Sequence, residues 1–514
     1  MNKTVLAFIF LLFFLCYLFL GTGIHGDEII HIQSVQNWTL HQLLTLNYQE
    51  SKLLYMFYNI PAYYLDFTEY YLFGKNEVYY DVTKVFLAWL SIFLIYLFAA
   101  DRLGSRNAFL FSFLFVLYPI HDSVNYVLQN GQYLLPTFAL IALSNILISN
   151  GNNLYGFLAG ILGSFFSYAS PPIAWGLSLT FVLKKQYQKF FLFILPQLIY
   201  VFYILLMSKV FLLEKNRATD IDNFRKLFNQ LIFQILGFLD IIIGPSFLIK
   251  IFYSIGNISF LSLLVGLIVV VIFFKYFKPE QHKFDYHMFC ALAAVAFLSL
   301  CMYALTGFYP QTAFNLGNRV AIYSSLLMSF LVLWLMSLNR YFTILLFSIF
   351  LLSMLGISDH WKGWNHHQKA IVKNIAMNEN LKHIPQGERL YVSKNQYSRL
   401  GAMSHIEFFT EGAGFWPINN AIGNNIRFTM LNKRFKFDGQ YLVDSKYSCK
   451  YSVNETIYVY DSEYDRLYKI PKLGIQAYID SLPHDYRNWV QLIDNRFVKR
   501  FILTLMPRLS YLIP

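Results

Sequence analysis

Charge is what this sequence has least of. Only 14% of its 514 residues are Asp, Glu, Lys or Arg, where soluble domains carry about a quarter. That excludes an ordinary soluble enzyme. Cysteine is nearly as scarce, with four in all. Cys16, Cys290 and Cys301 sit in apolar runs and Cys449 stands alone in a polar tail, which excludes a disulfide framework or a Cys-based metal site. There is no repeat at a period of about 20–50 residues and no low-complexity segment. The first apolar run lacks a small-x-small cleavage site and further runs follow it, so it reads as a retained span and not a signal peptide.

What the chain does have is apolar length. Hydrophobic residues make up 56%, mean hydropathy is +0.43, and runs near about 20 residues recur over two thirds of the sequence. Aromatic content is 19%, with 52 Phe and 38 Tyr, which suits interfacial belts and lipid-facing surfaces. The net charge is +12. Many of the basic residues fall in short loops between apolar runs, the pattern that orients membrane proteins, so no nucleic-acid partner is inferred.

Lys3 puts the N-terminus in the cytoplasm, and residues 5–20 cross outward. The 21–82 segment is a long first outer loop whose helical spacing predicts one or two interfacial helices; Asp66, Glu69 and Asp81 are among the charges that keep it out of hydrocarbon. Further spans follow at 82–100, 108–119, 131–148, 154–168, 173–183, 190–213, 259–277, 288–305, 320–338 and 342–357. Residues 231–252 are apolar but interrupted by Asp240, Gly244-Pro245 and Lys250. A charge near midplane is costly, and the orientation rule also argues against a span there, so this stretch reads as an outer-face or re-entrant segment. The result is about eleven spans, N-terminus in and C-terminus out. From residue 358 the character changes, and 358–514 hold half of all charged residues. Strands are expected at 389–394, 456–460 and 466–470, a helix at 368–383, and the last stretch, 497–514, suits lipid headgroups. The fold class is a polytopic α-helical membrane protein, residues 1–357, followed by a small extracytoplasmic α/β domain, 358–514.

Polar residues collect at the outer ends of the spans. His25, Asp27 and Glu28 follow the first span in the glycine-rich stretch Gly21-Thr-Gly-Ile-His-Gly-Asp-Glu28. His121 and Asp122 end the third, with Gln129 and Asn130 after them, and Tyr309, Asn318 and Arg319 precede the tenth. Each has a plainer reading. Asp27 suits a helix N-cap with Glu28 as dipole partner, His121 and Asp122 suit the end of a span, and Arg319 suits an interfacial anchor. The patch of His360, His366 and His367 has no carboxylate at helical spacing and reads as solvated surface.

An acidic residue after the first span, a second after the third, an Arg where a late span begins, and a polar C-terminal domain outside together resemble the GT-C glycosyltransferases. The resemblance implies an inner-membrane enzyme of bacteria that moves a sugar from a polyprenyl-phosphate carrier to a lipid, glycan or protein acceptor at the outer face. It makes Asp27 the base that takes the acceptor's proton, with Glu28 as neighbour or substitute. Asp122 becomes the second acidic residue beside His121, with Gln129 and Tyr309 among the substrate-binding groups. Arg319 becomes the group holding the carrier phosphate, which suits its bidentate fork. One base and no covalent intermediate imply inversion through an oxocarbenium-like transition state. No Asp-x-Asp occurs in the first loop, so no cofactor is assigned and use of Mg or Mn stays open. Two other classes fit a polytopic chain: a transporter or flippase of lipid-linked saccharides, which tends to show repeats and broken helices, and a polymerase or ligase of surface polysaccharide.

Overall fold

The computed structural model of the chain describes residues 3–26, 28–35, 38–45, 58–210, 224–276, 279–281, 283–306, 309–385, 388–409, 427–444, 449–483 and 496–505. The protein is a polytopic helical membrane protein with a C-terminal α/β region. It divides into two compact units, Met1–Gly23 with Val35–Lys362, and Ile24–Ser34 with Gly363–Pro514. Relative to a division at 357, the first unit keeps 358–362 and gives up 24–34.

Among the described residues, eight helical segments are long and apolar enough to cross a bilayer. They are Glu77–Leu103, Ser105–Tyr126, Leu128–Ser149, Tyr187–Met207, Leu227–Gly256, Tyr286–Thr306, Leu316–Leu338 and Arg340–Met377. Thr4–Phe19, Asn153–Phe166, Pro171–Leu183 and Phe260–Tyr276 are apolar but shorter, a length that tilt or neighbouring helices accommodate. These are the eleven segments read from hydropathy plus Leu227–Gly256. Glycine sets two of the closest helix crossings. A Cβ on Gly176 would stand 2.4 Å from the Val295 side chain, and one on Gly356 only 1.8 Å from the Ser254 carbonyl oxygen. Small residues at such points let backbones approach where lipid supplies no hydrophobic drive between helices.

Residues 231–252, expected as an outer-face or re-entrant segment, are two consecutive helices, Phe224–Ile242 and Pro245–Gly256, and Gln234 of the first and Lys250 of the second both donate to carbonyls of residues 309–313. The break has a local cause: Pro245 opens the second helix, where a missing N–H costs nothing. Asp240 then accepts from the Ser246 amide at 3.0 Å and the Ser246 hydroxyl at 2.5 Å. One expectation, the separate helix at 368–383, is corrected. It is not separate from the last span; Arg340–Met377 is one helix of 38 residues, because no proline interrupts it. The first loop holds Glu28–Val35, Leu40–Leu44 and Ile60–Phe73. On the last of these, Asp66 and Glu69 turn inward and are buried.

The C-terminal unit is built on four strands in the order β4-β1-β8-β9, namely β4 Arg427–Met430, β1 Arg389–Ser393, β8 Thr456–Asp461 and β9 Arg466–Pro471. The first three are mutually parallel; β8 and β9 form an antiparallel hairpin. Its turn is held by the Asp461 carboxylate, which accepts from the amides of Glu463 at 3.1 Å and Tyr464 at 3.2 Å. A two-stranded hairpin, β2 Tyr397–Leu400 and β3 Met403–Glu407, and a three-stranded sheet, β5 Phe435–Phe437, β6 Tyr441–Asp444 and β7 Lys450–Ser452, complete it. Tyr391, Leu442, Val459, Ile470 and Ile475 are among its buried core.

Candidate functional site

The glycine-rich exit from the first helix is bent as its composition demands. Gly21, Gly23 and Gly26 have φ of 89°, 75° and 61°, the left-handed region that side chains resist. In the membrane unit this exit is clamped from the start of Glu77–Leu103. Asp81 accepts from the Gly21 amide at 2.8 Å, the Gly23 amide at 3.0 Å and the Thr22 hydroxyl at 3.0 Å. Lys84 donates to Asp81 at 3.1 Å, to Thr22 at 3.2 Å and to the Gly23 carbonyl. Both side chains are sealed, with Lys84 1% and Asp81 3% exposed. The sequence showed Asp81 only as a charge of the outer loop and Lys84 as part of a span; a lone Lys three residues after an Asp, entering an apolar run, was the signal for this pair.

Asp27, the expected base, lies outside the described residues. Glu28 and His25 belong to the second unit and are buried; the Glu28 carboxylate accepts from the His25 amide at 2.9 Å.

Asp122 is the hub of the membrane unit's second buried charge cluster. Lys250, from the helix after the Gly244-Pro245 break, donates to Asp122 Oδ1 at 2.7 Å, with the two side chains 0% and 2% exposed. Asn318 donates to the same oxygen, and the Trp361 indole N–H reaches Oδ2 at 2.8 Å. Trp361 also stacks on Tyr126, ring centroids 5.2 Å apart. A charge in the middle of an apolar helix is thereby neutralised and hydrogen-bonded, the condition on which buried ions persist. His121 is buried beside it, with Nδ1 2.8 Å from the Ser325 hydroxyl and Nε2 3.2 Å from the Val116 carbonyl.

Above this cluster the polar groups become accessible. Arg319 is half-buried. It donates to Asn130 Oδ1 at 2.7 Å, and its guanidinium lies 5.9 Å from the centre of the Tyr309 ring. Gln129 and Tyr133, also half-buried, are joined at 3.2 Å. The first turns of Leu128–Ser149 tie this region to the first loop, because Gln132 donates to the Glu69 carboxylate and Tyr133 lies 5.5 Å from the Tyr63 ring. Of the sequence candidates, Gln129 lies in the first turn of Leu128–Ser149, Arg319 reaches that turn through Asn130, and Tyr309 lies against Arg319. His121 and Asp122 are enclosed beneath. Glu69, Lys84, Lys250 and Trp361 were not singled out as site residues from sequence, since only the fold brings them to their partners.

Asp81 and Asp122 do not suit a divalent metal, since each holds a lysine ammonium where a cation would sit. Among the described residues no three His, Cys, Asp or Glu side chains gather closely enough to hold an ion. His367 instead meets Gln396 at 3.0 Å.

No protein-family model matches the chain, and no curated protein matches it. Among solved structures, that of ArnT from Cupriavidus metallidurans bound to undecaprenyl phosphate is similar, with a TM-score of 0.38 and 12% identity. The likeness covers 83% of this chain and 86% of that one. At that degree it carries no argument about activity, which rests on this chain's own residues.

Proposed function

We propose that this protein is a membrane glycosyltransferase of the GT-C kind, moving a sugar from a polyprenyl-phosphate carrier to a lipid, glycan or protein acceptor. The observation that carries the reading is Arg319: a half-buried guanidinium fixed by Asn130 and Tyr309. A rigid, partly desolvated Arg is suited to a phosphate leaving group, because its planar fork offers paired N–H donors.

In the reaction, the Asp27 carboxylate takes the acceptor hydroxyl's proton. The acceptor oxygen then bonds to the anomeric carbon while the carbon–oxygen bond to phosphate breaks, inverting the centre. The electron pair leaves with the carrier phosphate, where Arg319 meets the growing charge. The site belongs at the outer face of a bacterial inner membrane, with the N-terminus cytoplasmic and the C-terminal unit outside. Lys184, Lys185, Lys275, Lys283 and Arg340, which fall at the opposite helix ends, support that orientation. A transporter reading draws on the broken pair Phe224–Ile242 and Pro245–Gly256. At the second helix's N-terminus, however, the Ser246 amide is taken by the chain's own Asp240, which weighs against an anionic ligand there.

The test is binding of undecaprenyl phosphate to the detergent-solubilised full chain by native mass spectrometry. Arg319→Gln should weaken binding by about 10- to 100-fold, as expected for a charge-assisted contact. Unchanged binding, with the variant folded, refutes the assignment.

A further inference from the structure

We propose that the buried Asp122–Lys250 pair is a positioning device for Arg319 and takes no direct part in binding substrate. The proposal rests on Arg319 being the phosphate ligand. Asp122-Ser123 is the strip on which the arginine's segment is mounted. Asp122 and Lys250 grip residues 313–318: Lys250 donates to the Ala313 carbonyl and Asn318 to Asp122. Ser123 adds a second grip. Its amide donates to Asn318 Oδ1 at 3.2 Å and its hydroxyl to the Leu316 carbonyl at 3.1 Å. Arg319 is the next residue in the 3-10 turn Leu316–Ala321.

The arginine's side chain is fixed through the same strip. Asn130, which accepts from Arg319, itself donates to the Ser123 carbonyl at 3.3 Å. Backbone and side chain of Arg319 are therefore both referenced to residues 122–123. The turn needs that support, because Asn315 is held at φ 67°, a conformation that non-glycine residues adopt only at a cost. A fully buried ion pair is not in itself an efficient stabiliser, and apolar residues of similar volume often serve as well or better. Two of its hydrogen bonds here, those with Ala313 and Asn318, go to the loop that presents the arginine.

The experiment measures undecaprenyl phosphate affinity of the full chain by native mass spectrometry, alongside unfolding in mixed micelles. The paired variant Asp122→Asn with Lys250→Met removes both charges and leaves no orphan ion. It should fold as stably as wild type yet bind about tenfold more weakly, and in an Arg319→Gln background it should change affinity less than about twofold, since coupled residues are not additive. Trp361→Phe keeps the ring and removes one donor to Asp122. It should weaken binding about threefold, again only when Arg319 is present, and it serves should the paired variant fail to fold. Wild-type affinity in folded variants, or losses that multiply in the Arg319→Gln background, overturns the positioning role while leaving Arg319 as the phosphate ligand. If Arg319→Gln alone leaves affinity unchanged, the phosphate reading itself falls and the positioning role with it.

Discussion

Replacing Lys84 with Met tests whether the exit of the first helix is clamped as described. The ammonium makes three contacts, to Asp81, to the Thr22 hydroxyl and to the Gly23 carbonyl. Met fills most of the volume, so the loss is electrostatic and not a cavity. Removing one partner of a buried pair costs about 3–5 kcal/mol. The Asp81 carboxylate keeps three donors, the amides of Gly21 and Gly23 and the Thr22 hydroxyl, which places the expected cost at the lower end, about 3 kcal/mol. The further replacement Asp81→Asn removes the stranded charge, so the double variant should be more stable than Lys84→Met alone. Thr22→Val, which loses one hydroxyl, should cost about 1 kcal/mol. The measurement is equilibrium unfolding of the purified protein by SDS in mixed micelles. A cost below about 1 kcal/mol for Lys84→Met, or a double variant less stable than the single, would refute the clamp.

Asp27→Asn should lower sugar transfer by roughly 100-fold or more with carrier binding retained, and Glu28→Gln should be milder; full activity in both in a transfer assay removes this pair from the mechanism. Gly356→Ala should cost about 3 kcal/mol or more, because a Cβ 1.8 Å from the Ser254 oxygen drives two helices apart. Gly363→Ala in the same helix meets nothing within 4 Å and should be neutral or stabilising by up to about 1 kcal/mol; equal effects in unfolding experiments would contradict the packing. In the C-terminal unit, the amides of Tyr441 and Gln440 hold the Asp438 carboxylate below its usual range. A group with a depressed folded pKa contributes stability that is complete above about pH 4 and is lost as pH falls through its folded value. Asp438→Asn should therefore make the acid limb of that unit's near-UV circular dichroism shallower, and an unaltered limb would show that the turn does not couple to stability.

The linear order of residues determined the membrane character and the eleven hydropathy segments, since apolar length and the placement of Lys and Arg act locally and need no partner. It determined the hairpin of β8 and β9, whose turn chemistry lies within Asp461–Arg466, and the bend at Gly21 and Gly23, where only glycine sits easily. The polar character of residues 121–132 and 309–319 was also legible, because polar residues at the ends of apolar runs stand out. Partnership was not. Lys250 looked like an interruption until Asp122, 128 positions away in sequence, supplied its counter-charge. Lys84 looked like part of a span, and Asp66 and Glu69 looked solvated until the Ile60–Phe73 helix turned them inward. Whether a charge in an apolar run faces water, lipid or an opposite charge depends on which helices meet, and that is decided by close packing between segments distant in sequence. For the same reason Arg319 read from sequence as anchor or ligand alike. Only the tertiary structure mounts it on Asn130 and the Asp122-Ser123 strip, because the hydrogen bonds that fix it come from three separate stretches of the chain.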